Sequence, residues 1–142
     1  MRDLQRLLWV DCSAGALAGA LVLALSGPLS AFTGLPRAAL LFTGAANVLY
    51  AAYSFSLAVR AGRARWQVRA LVAANLAWVP VCLGLAAAFW TEATVFGRLH
   101  LVGEAAFVGG LALLERRALG REAAAGRSRP ARNAGGAAGP GG

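Results

Sequence analysis

The sequence predicts an all-α fold: a polytopic membrane protein with four transmembrane helices in an up-down bundle and both termini cytoplasmic. Three observations lead there. Four apolar stretches, 7–25, 38–59, 67–89 and 94–114, each hold about the 20 residues that a helix rising 1.5 Å per residue needs to cross about 30 Å of hydrocarbon. Only 14% of the 142 residues are charged while 58% are hydrophobic, against about 25% charged in a soluble domain. The third observation is the placement of the arginines, which supply all fourteen basic side chains. All but Arg37 and Arg98 lie at the N-terminus, around the 60–66 connection or towards the C-terminus. Alternate connections are therefore basic, as positive residues held on the cytoplasmic side require.

The first stretch follows Arg2 and Arg6, and Leu29-Ser30-Ala31 beyond it offers small residues for a signal-peptide cut. Its length and the early Asp11 favour a retained first helix. The connection 26–37 is itself apolar, with Gly27, Pro28, Gly34 and Pro36, and reads as a turn in the outer interface. The connection 60–66 is short and basic, which makes the second and third spans antiparallel neighbours. Trp9, Trp66 and Trp90 fall near span ends, where amphipathic rings settle. Strands are excluded, because Ala and Leu dominate without period-2 alternation and an open strand edge cannot persist in lipid. Residues 1–117 thus form the membrane domain. Residues 118–142, rich in Gly, Ala and Arg, read as a disordered cytoplasmic tail.

The net charge of +8 does not signal nucleic acid, since the arginines flank spans instead of forming one face of a soluble fold. The expected partners are the lipid bilayer, whose anionic headgroups attract each surface Arg by about 1 kcal/mol, and a second copy or another membrane protein. The expected location is the inner (cytoplasmic) membrane of a cell, crossed several times.

Polar residues inside the spans are the candidates for function. Asn47 lies nine residues into 38–59, Asn75 eight into 67–89 and Glu104 ten into 94–114. Helix rise puts all three roughly 12–15 Å from a membrane face, near the midplane. An ionisable residue at that depth costs on the order of 2.5–3.5 kcal/mol and is by default a sign of function. Glu104 is accordingly the sharpest single residue. It either acts as neutral interhelical glue, bonded to Asn47 or Asn75 at about 0.6–2 kcal/mol per bond, or handles a proton or solute. His100 precedes it by one turn on the same face. As the sole His it supports neither a bis-histidine haem nor a three-histidine zinc site, and no metal or cofactor is expected. Asp11, one turn inside the first span, reads as a structural ion pair with Arg69 or Tyr53 as partner.

Ala45-Ala46-Asn47-Val48-Leu49-Tyr50 and Ala73-Ala74-Asn75-Leu76-Ala77-Trp78 share an Ala-Ala-Asn-x-x-aromatic pattern. Each Asn shares a helix face with its aromatic, Tyr50 or Trp78. In an antiparallel pair the asparagines are expected to meet, with the aromatics on opposite sides. Gly15-x-x-x-Gly19, Ala105-x-x-x-Gly109 and Ala106-x-x-x-Gly110 are small-residue stripes that suit close helix packing, within the bundle or in a dimer. Cys12 and Cys82 lie at different depths and have no C-x-x-C spacing, so both read as buried free thiols.

With Trp9-Val10-Asp11 opening the first span, the two Asn/aromatic pairs, Gly103-Glu104 and the closing Leu114-Glu115-Arg116, the chain resembles small four-helix integral membrane proteins of bacteria over residues 1–117. The resemblance implies the fold and transfers no activity. Small multidrug-resistance transporters also have four short spans and an acidic residue in the first. Here Asp11 lies nearer the surface, and the arginine bias opposes dual topology. No phosphate loop, nucleophile elbow or metal-spaced cluster points to an enzyme. Two expectations follow: a non-enzymatic structural or partner-binding bundle held in register by Asn47, Asn75 and Glu104, or a small oligomeric transporter or channel using Glu104.

Overall fold

The computed structural model describes residues 2–60, 62 and 64–135. They form five helices: α1 (Arg2–Ala24), α2 (Ser26–Thr33), α3 (Arg37–Ala58), α4 (Arg65–Ala88) and α5 (Val95–Gly135). Within them Leu4–Ala24, Arg37–Ala58, Arg65–Ala88 and Val95–Ala125 are long and apolar enough to cross a membrane. Their outer surface is largely apolar. Leu17, Leu49, Phe42, Phe55, Phe96 and Leu99 point outward, while Thr43, Asn47, Ser54, Asn75 and Glu115 are buried. Water would penalise that outer surface.

Two elements differ from the expectation. The connection 26–37 is not a simple turn but contains α2. Pro28 sits in its first turn, where a missing N–H is not needed. The helix stops at Gly34, whose φ of 70° lies in the left-handed region and whose N–H donates to the Ser30 carbonyl at 3.0 Å. A side chain there would run into the Glu92 carbonyl, because this corner is laced to the α4–α5 connection. The Thr94 N–H donates to Thr33 O (2.8 Å), and the Thr94 hydroxyl to Phe32 O (3.0 Å). The stacked rings of Phe32 and Phe96 close the same seam.

The second difference is the tail. Residues 118–135, expected to be disordered, continue α5 as helix, and 136–142 lie outside the described residues. The reason is local. Ala118 and Leu119 fall on the buried face and join Leu4, Leu8, Leu57, Val68 and Leu71 in one cluster. Extending an existing helix through Ala, Arg and Glu needs no new nucleus.

Small residues set the packing. The Ser54 hydroxyl donates to Leu8 O at 3.2 Å, a Cβ on Gly15 would stand 3.3 Å from Asn47 O, and one on Gly19 would stand 2.8 Å from Gly44 O. Partner numbers fall on α3 as they rise on α1, so the two helices are antiparallel. The Gly15/Gly19 stripe is used inside the chain, against α3. Likewise Gly109 on α5 approaches Val79 on α4, and Ala105 is buried with Trp78 and Cys82. Gly19→Ala is expected to lower stability by about 1–2 kcal/mol, because the Gly44 carbonyl and the Val48 N–H are backbone and cannot yield. Gly103→Ala, which meets open space, is expected to be silent; thermal unfolding of both variants in detergent checks this.

The four long helices therefore associate as two tight pairs, α1 with α3 and α4 with α5, and the pairs meet more sparingly. The space between them is where the polar side chains gather.

Candidate functional site

Asp11 from α1, Asn47 and Tyr50 from α3, Asn75 and Trp78 from α4, and His100 and Glu104 from α5 all line one cavity of about 260 Å³. Its room comes from residues with little or no side chain: Ala14, Gly15, Ala18 and Gly103. The seven polar or aromatic residues named first, each a candidate for function from the sequence, line the same cavity.

Glu104 is its centre. One carboxyl oxygen, Oε1, accepts from Asn47 Nδ2 at 2.9 Å and from Trp78 Nε1 at 2.8 Å. These bonds draw α3, α4 and α5 together. The other oxygen, Oε2, has no hydrogen-bond partner among the described residues, and His100 Nε2 stands 3.7 Å from it. Both donors on Oε1 are N–H groups, so this oxygen accepts both bonds.

The Asn/aromatic repeat is used differently from the expectation. The asparagines do not meet. α3 and α4 are antiparallel and offset by one turn, so each Asn lies level with the aromatic of the other helix. Asn47 and Trp78 share Glu104, whereas Tyr50 donates to the Ala74 carbonyl at 3.2 Å, beside Asn75. The aromatic rings approach each other instead, with centroids 5.9 Å apart.

Asn75 belongs to a second polar level. It is 2% exposed, as Glu115 is 0% exposed, and it lies beside both Glu115 and Asp11, with Ser54 next to Asp11. Yet Asn75 Nδ2, Asp11 Oδ2 and both Glu115 oxygens make no hydrogen bond of normal length among the described residues. The ion pair expected for Asp11 is not formed. Arg69 lies on an exposed face of α4, and the Tyr53 hydroxyl donates to Gln67 O at 3.2 Å. Asp11 instead shares the inward face of α1 with Leu4 and Leu8, which points it into the bundle.

Glu115 is the residue that sequence reasoning passed over. It follows Glu104 by eleven residues, three helical turns, and so returns to the same face of α5. Its neighbours Arg116 and Arg117 made it look like part of the solvated helix end.

Cys12 and Cys82 are both buried and free. Among the described residues no three His, Cys, Asp or Glu side chains are grouped to hold a metal ion. Fold and cavity together define an all-helical chain with four helices able to cross a membrane and an acidic chamber between them. No known protein family, curated protein or solved structure matches it.

Proposed function

We propose that the chain is a non-enzymatic integral membrane protein that crosses the inner (cytoplasmic) membrane four times with both termini inside. In this reading its chamber binds a small cationic solute, a protonated amine, as the working site of a small oligomeric transporter or channel. The single observation that carries the reading is Glu104, whose buried Oε2 has no hydrogen-bond partner among the described residues, in the lining of a cavity of about 260 Å³ that also includes Tyr50, Trp78 and Phe107. A carboxylate oxygen among aromatic rings is the chemistry that recognises an amine or quaternary ammonium. The volume lies just under the roughly 300–1,000 Å³ of drug-sized sites, so the guest is small. Orientation rests on the arginine bias. An assembly of two or more copies is part of the proposal because four short helices enclose only a short path.

A structural or partner-binding bundle is the second reading. The observation that favours it is the pair of bonds on Oε1, which would hold three helices in register with no guest at all. Flux of radiolabelled methylammonium into proteoliposomes separates the two. Under the solute reading, uptake by the wild-type chain is saturable and competed by tetramethylammonium, and Glu104→Gln lowers it at least about tenfold by removing the counter-charge. Uptake equal to that of protein-free liposomes would leave the structural reading standing.

A further inference from the structure

On the opposite side of the α4–α5 pair a second concavity of about 390 Å³ opens on the lipid-facing surface. Arg65 and Arg69 line its upper part from α4, and Arg116 does so from α5. Below them on α4 come Val72, Ala73 and Leu76. These positions recur every three to four residues, so one face of α4 changes from basic to apolar over about 16 Å. Gly120 on α5 leaves the groove open, since a side chain there would meet nothing within 4 Å. None of the described lining residues is acidic. Arg65 donates one N–H to the Leu119 carbonyl at 3.5 Å, which holds its guanidinium at the rim. No described carboxylate side chain forms an ion pair with Arg69 or Arg116.

Flanking arginines needed only for orientation would be spread around the helix ends. Here three of them, from two helices, converge on one groove that continues into the apolar zone. We propose that this groove is a binding site for an anionic phospholipid. The phosphate sits among Arg65, Arg69 and Arg116, and an acyl chain lies along Val72, Ala73 and Leu76. Arginine suits the phosphate because its fork of donors matches the phosphate oxygens. The apolar half of the groove selects a lipid over a free phosphate, which would use the charges alone. The site is independent of the chamber, and tight lipid at the α4–α5 seam would stabilise that pair.

The test is native mass spectrometry of the full-length protein in detergent, offered equal amounts of dioleoyl phosphatidylglycerol and dioleoyl phosphatidylcholine. The expected result is preferential retention of one phosphatidylglycerol. Arg69→Gln and Arg116→Gln each reduce that retention about fivefold and leave phosphatidylcholine unchanged. Gly120→Leu, which keeps every charge but crowds the arginine end of the groove beside Arg65, reduces it as well. Arg98→Gln, at the far end of α5 where Arg98 covers the Trp90 ring at 4.5 Å, has no effect. Circular dichroism confirms that each variant keeps its helices. Equal retention of the two lipids overturns the proposal. So does a loss with Arg98→Gln as large as with Arg69→Gln, which would mean diffuse charge. Displacement of the lipid by glycerol phosphate at comparable concentration overturns it too, since the acyl groove would then contribute nothing.

Discussion

Glu104→Leu will destabilise the protein strongly, whereas Glu104→Gln will not. Oε1 of Glu104 is the acceptor for Asn47 Nδ2 and Trp78 Nε1. Leucine leaves both donors facing a cavity with nothing to accept from them. An unsatisfied buried donor costs about 1–3 kcal/mol, so the expected loss is about 2–6 kcal/mol. Glutamine keeps a carbonyl oxygen at the same place, and its amide replaces an oxygen that has no hydrogen bond to lose. Its stability should stay within about 1 kcal/mol of wild type. Thermal unfolding in detergent, followed by tryptophan fluorescence and circular dichroism, reads both variants. The contrast separates the two oxygens of Glu104, one bonded to α3 and α4 and one without a hydrogen bond among the described residues. Equal loss in both variants would show that the charge itself, not the acceptor, holds α3, α4 and α5.

The helix positions were readable because lipid imposes both a length and a composition. α3 and α4 begin and end within two residues of the stretches marked by hydropathy alone. α2 was not readable, because its Gly and Pro residues signal a turn wherever tertiary contacts are ignored, and the seam to Thr94 and Phe96 is long-range. The continuation of α5 was hidden for a related reason. Composition averaged over the tail conceals the two residues, Ala118 and Leu119, that reach the buried cluster. At the site, depth along each helix brought Asn47 to Glu104, since residues at one level of a bundle meet if they also share its inner face. Depth gives no rotation, however. That is why the partner of Asn75 could not be read, and why Asp11 was assigned to an arginine that faces outward. Glu115 needed only the eleven-residue return on α5, a signal masked by the two arginines after it.

Glu115→Leu, in contrast to Glu104→Leu, is expected to stabilise the protein. Glu115 is 0% exposed, and neither of its oxygens has a hydrogen-bond partner among the described residues. Asp11 lies close to it, so two carboxyls are crowded into one buried level. Such a side chain brings the cost of leaving water with no compensating bond. Leucine has similar bulk, and its neighbours one turn on, Ala118 and Leu119, already belong to an apolar cluster with Leu8 and Leu71. Removing the carboxyl strands no donor, because Asn75 Nδ2 is already without a hydrogen bond. Replacing buried charged groups by well-packed apolar ones stabilises proteins by about 1–4 kcal/mol in favourable cases, and a gain in that range is expected in the thermal midpoint of the detergent-solubilised protein. Asp11→Asn should give part of the same gain, since it removes one of the two crowded carboxyls but leaves a polar group behind. The two substitutions should also fall short of additivity, because both act on one interaction. A loss of stability in Glu115→Leu would show that the carboxyl contributes more through its neighbours Asn75 and Asp11 than its burial costs.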